Sequence, residues 1–288
     1  MKVLFKPNQF SKYMQQCEIK PDDFINMIKS PAIIGEKSSC PLLIYGEHVE
    51  NPDLNPETRF PRCTASNVKY IYMLQLDYDN GMEFHEFIAK YKNKFSFAMY
   101  SSHSFGYKPG DRFRVLIPLK EHLDASLIGP EFSEIMCREF PGCDPSCFVR
   151  GHFQIIPAIR ESRSRYAYAI EKCPIHYEVP VEEIKHLIEE HEKEREIQRA
   201  EYERRKAEHK DEAPDPASID GFVKRKLNEF GYADGSHHVS LLRCAAACAA
   251  RGFEELDTEY ALISYRTSGH PDAKIRRIVQ TAYEHVKM

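Results

Sequence analysis

Apolar and polar positions alternate in a way that divides the chain into a mixed first part, a charged middle and a helical tail. Short apolar runs bounded by turn residues predict strands at 70–77, 95–101, 112–118, 151–157 and 166–170. Helical periodicity predicts helices at 22–28, 82–92 and 123–139. From residue 70 the order is β-α-β-β-α-β with a further strand, the split βαβ order of ferredoxin-like and RNA-recognition-like sheets. Residues 1–69 are expected to add an irregular N-terminal layer. From Val181 to Asp215 apolar residues become rare, and Glu recurs three and four residues from Lys or Arg. That pattern suits a solvated single helix held by i,i+4 pairs, stopped by Pro214 and Pro216. Four helices should follow. One begins at Ile219 and ends near Gly231; a second is capped by Ser236 and stopped by Gly252. A third starts at Thr258, and Pro271 opens the last. The expected fold class is therefore α+β: a sheet domain over 1–180, a charged linker helix over 181–215 and a small all-α domain over 216–288.

Composition agrees with folded domains. Of 288 residues, 42% are hydrophobic and 29% charged, which excludes collagen-like and globally disordered classes. No apolar run approaches the roughly 18 residues needed to cross a bilayer, and the N-terminus has no long apolar stretch of a signal peptide. A cytoplasmic protein without membrane partners is expected. The net charge of −4 is not spread evenly. Counting Lys and Arg against Asp and Glu gives 0 over 1–180, −5 over 181–215 and +1 over 216–288. No global basic field therefore demands nucleic acid, and none excludes it. Nine cysteines with no Cys-x-x-Cys read as thiols, and the spacing of Cys137, Cys143 and Cys147 does not suit zinc.

Four places carry candidate chemistry. The apolar strand ending Leu76-Asp77-Tyr78-Asp79 puts two carboxylates on one face, because strand side chains alternate. Two close carboxylates repel unless a cation separates them, and their hard oxygens suit Mg²⁺ or Mn²⁺. On that reasoning, removing either one should leave stability unchanged or raised. Ser101 and His103, at another strand end, are able to donate to phosphate oxygens. Arg112 and Arg114 share a face of the next strand and suit a triphosphate or a nucleic-acid backbone. Asp144, in Asp144-Pro145-Ser146, is placed to bring a third carboxylate back to the first pair.

Together these motifs resemble the catalytic module of the archaeo-eukaryotic primase superfamily, most closely its phage and plasmid primase–polymerase branch. That family pattern is an apolar strand with Asp-x-Asp, then Ser-x-His, then an apolar residue followed by Asp. The sequence supplies Asp77 and Asp79, Ser101 and His103, and Asp144. The likeness covers residues 68–170. It departs from cellular primases in lacking a zinc motif, and from long phage enzymes in lacking a Walker A loop, so that a replicative helicase would be a separate partner. The resemblance implies two-metal nucleotidyl transfer, with Asp77, Asp79 and Asp144 as ligands and His103 at the incoming triphosphate, aided by Ser101, Arg112 and Arg114. It implies nucleoside triphosphates as substrates, a single-stranded DNA template and the cytoplasm of a bacterial or archaeal host. Template contacts are expected from Arg160, Arg163 and Arg165, interleaved with Tyr166 and Tyr168, and in the tail from Lys224 and Arg225. Two other readings compete: a non-catalytic nucleic-acid-binding replication protein, and another Asp-x-Asp transferase such as a glycosyltransferase.

Overall fold

The computed structural model describes residues 1–208, 218–232, 237–267, 270 and 272–286. The expected stops at Pro214 and Pro216, the Ser236 cap and Pro271 lie outside these residues. Two compact units divide the chain, Met1–Glu189 and Glu190–Met288.

In the first unit the strands are β1 (Lys2–Lys6), β2 (Gln15–Glu18), β3 (Ala32–Ile33), β4 (Leu42–Ile44), β5 (Gly46–His48), β6 (Val68–Tyr78), β7 (Phe97–Ser101), β8 (Phe113–Asp124), β9 (Gln154–Ile155), β10 (Ala158–Ile159) and β11 (Tyr168–Glu171). The helices are α1 (Pro21–Lys29), α2 (Phe84–Tyr91) and α3 (Pro130–Glu139), and α4 (Val181–Glu208) begins here. The principal sheet has the order β11-β7-β8-β6-β5. β8 is antiparallel to both β6 and β7, so β6-α2-β7 is a right-sized parallel unit split by β8.

Alternation assigns each face of that sheet. Leu74, Leu76 and Tyr78 of β6, Phe97 and Met99 of β7, and Phe113, Val115 and Ile117 of β8 are buried in one core with Phe87 of α2 and Phe132, Ile135 and Met136 of α3. The opposite face, with Met73, Ala98, Tyr100 and Leu116, packs on Val3, Leu43, Tyr45 and Ile28. Those residues belong to α1 and to the flank of a second sheet, ordered β2-β1-β4-β9. The N-terminal layer is thus not irregular: a regular sheet of β1, β2 and β4 from residues 2–44, completed by β9, covers one face of the first.

Two further expectations are corrected. The strand foreseen at 151–157 shrinks to Gln154–Ile155 and pairs with β4 in the second sheet, while β5 takes the place beside β6. Gly151, at φ +81°, breaks the extended run. The helix foreseen from 123 starts at Pro130, because β8 continues past Pro118 across a register shift and pairs Leu123 with Ile71. Pro130 sits where its missing N–H costs nothing.

The charged segment is helical over Val181–Glu208. Its first two turns are not solvated: Ile184 is fully buried, with Val181, Leu187 and Ile188 packed around it on the core of the first unit. The second unit contains α5 (Ile219–Glu229), α6 (His237–Arg251), α7 (Glu255–Ile263) and α8 (Asp272–Val286). Phe222, Val223, Leu227, Leu241, Ala245, Ile275 and Val279 fill its core. Ser218 caps α5 by accepting from Gly221 N, and Gly252 ends α6 at φ +84°.

Candidate active site

The three carboxylate positions converge at one end of β6. Asp77 is on the face turned toward the N-terminal sheet. β5 pairs with β6 only as far as Ile71, so the edge near Asp77 is left without a strand. Its backbone groups find other partners. Gln154 Nε2 donates to Leu76 O (2.9 Å), Asp77 N–H donates to Cys147 Sγ (3.0 Å), and Asp144 N–H donates to Asp77 O (2.9 Å). The turn that carries Asp144 is therefore fastened to the backbone of Asp77 itself. The Asp144 side chain is exposed and caps its own turn, its Oδ1 accepting from Ser146 N (2.8 Å).

A close backbone approach sets this turn in place. A Cβ on Gly81 would stand 2.1 Å from Gly142 O, and Gly142 has φ +82°. Only glycine at both positions lets the β6–α2 turn touch the α3–Asp144 turn.

Each aspartate of the pair faces a guanidinium. Asp77 lies opposite Arg114 in register, and Arg114 lies opposite Tyr100. Arg114 Nε donates to Asp77 Oδ2 (3.2 Å), with side chains 4% and 20% exposed. Burial works against the Arg114 charge, but the adjacent Asp77 carboxylate more than offsets it and holds the guanidinium above its ordinary value. Arg112 Nη1 meets Asp79 Oδ1 at 2.6 Å in a more open pair, 15% and 57% exposed. Buried atoms around this edge are left without hydrogen-bond partners: Asp77 Oδ1, Arg114 Nη1 and Arg112 Nε. The expectation that the two aspartates simply repel each other is therefore corrected, since both are already compensated.

Ser101 and His103 are buried. Ser101 Oγ accepts from Ala167 N (3.1 Å), which ties β7 to the segment before β11. The N–H of Ser102 donates to Arg112 O (2.7 Å), so His103 stands immediately beyond the Arg112 backbone. His103 Nε2 donates to Ile34 O (2.7 Å), leaving Nδ1 buried with no partner. The predicted template arginines fall near by. Arg160 lies 4.4 Å over the Tyr107 ring, while Arg163, Arg165 and Tyr168 are exposed. Tyr166 instead donates to Ile28 O (2.5 Å). Lys224 and Arg225 are exposed on α5 in the second unit.

Sequence reasoning missed the residues that hold this arrangement. Gln154, Cys147, Ile34 and the Gly81–Gly142 contact act through backbone groups, and only the two glycines gave a signal in the sequence. Cys147 is further set apart by a hydrogen bond to Cys143 and by burial, which push its thiol well above the ordinary range; all nine cysteines are free. A polar hollow of about 530 Å³ opens beyond Asp79, lined by Asn80, Gly81, Glu83, Glu86 and Asp111. Its carboxylates disfavour an anion there, so a triphosphate is better received on the Arg112–His103 side.

Among the described residues no three His, Cys, Asp or Glu side chains are gathered closely enough to hold a metal ion. The donor set nonetheless fits Mg²⁺ or Mn²⁺: three carboxylates at one strand end, one with a buried oxygen lacking a partner. Bringing them together requires Asp79 to leave Arg112 and the Asp144 carboxylate to leave Ser146. Both side chains are exposed.

No family model matches the chain, and no curated protein matches it. Among solved structures it is similar to primase RepB', at 10% identity over 99% of this chain and 93% of that one, with a TM-score of 0.34. It is also similar to the AEP domain of the cyanophage S-2L primase–polymerase, at 8% identity over 64% of this chain and 88% of that one, with a TM-score of 0.35.

Proposed function

We propose that the chain is a DNA-dependent primase or polymerase that joins nucleotides on a single-stranded DNA template during replication of a phage or plasmid. One observation carries the reading: the hydrogen bond from Asp144 N to Asp77 O, which brings the third carboxylate position to the strand end that bears the other two. Asp77, Asp79 and Asp144 would hold two Mg²⁺ or Mn²⁺ ions, which when bound supply charge stabilisation to the attacking hydroxyl and the leaving pyrophosphate. The protein's own part is placement. Arg112, with a buried N–H in need of an acceptor, receives the triphosphate. His103, whose Nε2 is fixed by Ile34 O, has a buried Nδ1 without a partner and is the second group proposed for the triphosphate. Arg114 holds the Asp77 carboxylate in place through its Nε hydrogen bond. Arg160, Arg163 and Arg165, with Tyr107 and Tyr168, offer phosphate contacts and stacking surfaces to the template.

A second reading has one observation in its favour. With Asp79 on Arg112 and Asp144 on Ser146, the carboxylates are occupied as in a sheet that binds nucleic acid without acting on it. An unprimed single-stranded template with labelled nucleotides and Mg²⁺ or Mn²⁺ separates the possibilities. Short products made without a primer identify a primase, and synthesis only on an added primer identifies a polymerase. Template binding with no synthesis identifies the binding module and removes the proposal.

A further inference from the structure

We propose that Arg112 is an exchangeable latch on Asp79, which an arriving triphosphate releases so that anion and metal binding become coupled. This inference rests on the nucleotidyl-transfer reading and states how that same site is regulated.

The two Arg–Asp pairs are built differently. Arg114 is enclosed, with Asp77 opposite on one side and Tyr100 on the other, and is only 4% exposed. A guanidinium so deep cannot leave its carboxylate without becoming an unpaired buried charge. Arg112 is at the mouth of the strand, and its partner Asp79 lies past the end of β6 with more than half its side-chain surface in water. Arg112 itself is 15% exposed, so solvent screens the pair from the Asp79 side, and it is there that the contact opens. The Arg112 backbone is meanwhile fixed, because its carbonyl accepts from Ser102 N. Only the side chain has to move. Its Nε is buried with no acceptor, so the guanidinium is underused on Asp79 and has a donor ready for a second oxygen. A triphosphate, with several acceptors and the fork geometry that guanidinium favours, competes well for it.

Releasing Asp79 changes the charge that the carboxylate edge presents. With the latch closed, Asp77 and Asp79 each sit on a guanidinium. With Arg112 turned to the phosphates, Asp79 loses its counter-charge, and the edge becomes a stronger cation site. By linkage, a metal bound at Asp79 must favour triphosphate binding by the same factor as the converse. The device leaves the carboxylates compensated until substrate arrives.

Two binding measurements on the full chain test this without any turnover. In the first, Mn²⁺ alone is titrated and free Mn²⁺ is followed by electron paramagnetic resonance. Arg112→Gln should bind Mn²⁺ about tenfold tighter than the wild type, a factor within the ordinary range of coupling between sites. Adding Asp79→Asn to that variant should abolish the gain. In the second, a non-hydrolysable nucleoside triphosphate analogue is titrated by calorimetry in the presence of EDTA. Asp79→Asn should bind it about tenfold tighter than the wild type, because Arg112 is already free. An unchanged Mn²⁺ affinity in Arg112→Gln, a gain that survives in the double variant, or an unchanged analogue affinity in Asp79→Asn each overturns the latch. If neither the wild type nor Arg112→Gln binds Mn²⁺ above the Asp79→Asn background, the metal reading itself fails, and the latch with it.

Discussion

Arg114 is buried against Asp77 and its charge has no other carboxylate partner in the hydrogen bonds of the site. Removing Asp77 therefore strands a buried guanidinium, a change that costs about 3–5 kcal/mol in comparable pairs. The Asp79 carboxylate is more than half in water, and a pair screened by solvent on that side contributes less, about 1 kcal/mol. Both carboxylates should be indispensable for nucleotide incorporation, yet only Asp77→Ala should lower the thermal midpoint substantially. Equal melting of the Asp77→Ala and Asp79→Ala variants would show that the Arg114 pair does not hold the fold. His103 combines two roles that substitution can separate. His103→Ala leaves Ile34 O without its donor, at about 1–3 kcal/mol, and should raise KM for nucleotide more than it lowers kcat. His103→Gln restores a donor and should recover stability while KM stays high. Steady-state kinetics against nucleotide concentration, run beside thermal melts, decide this. An unaltered KM in both variants would remove His103 from the nucleotide site.

Among the elements, β6, β7 and β8 were legible in the sequence, because each has an apolar face and ends in polar residues placed by period-two alternation. The position of Asp77, Asp79, Arg112 and Arg114 at their ends was legible for the same reason. What decided the neighbours of β6 was not. β5 has three residues and β9 has two, too short for periodicity to register, and the choice between them was made by packing across the second sheet. The fastening of Asp144 was hidden because it runs through backbone groups and the glycine pair. That pair has a direct test. Gly81→Ala drives a Cβ into the Gly142 backbone, and overpacking of this kind costs about 1–3 kcal/mol. Because the displaced turn carries Asp144, incorporation should fall tenfold or more even at temperatures where the variant remains folded. Gly35→Ala, with nothing within 4 Å of the added carbon, should be neutral in both assays. If Gly81→Ala keeps full activity, the Gly81–Gly142 contact does not place the carboxylate.

At the scale of the molecule, the chain divides into two compact units, and the first turns of α4 belong to the core of the first. Its charge pattern concealed this, since four apolar residues at 181, 184, 187 and 188 were outweighed by the glutamates that follow. In the second unit several cations are already engaged. Lys226 pairs with Glu229 at 2.7 Å and Arg276 with Glu259 at 2.7 Å, while Lys224 and Arg225, the cations expected to reach the template, are exposed on α5. Starting a chain lacks the binding energy of a duplex and needs more surface than extending one. A protein ending at Asp215 should therefore extend a supplied primer but lose most unprimed synthesis, compared at fixed salt because phosphate contacts weaken with ionic strength. Equal initiation by the shortened chain would assign the tail to partner docking instead. The central claim is that the carboxylate edge of β6 joins nucleotides, and Asp79→Asn tests it with least disturbance to the fold. Labelled nucleotide incorporation on a single-stranded template with Mn²⁺ should be robust in the wild type and absent from Asp79→Asn, with the two melting within about 1 kcal/mol of each other. Incorporation by the variant at the wild-type rate would contradict the account.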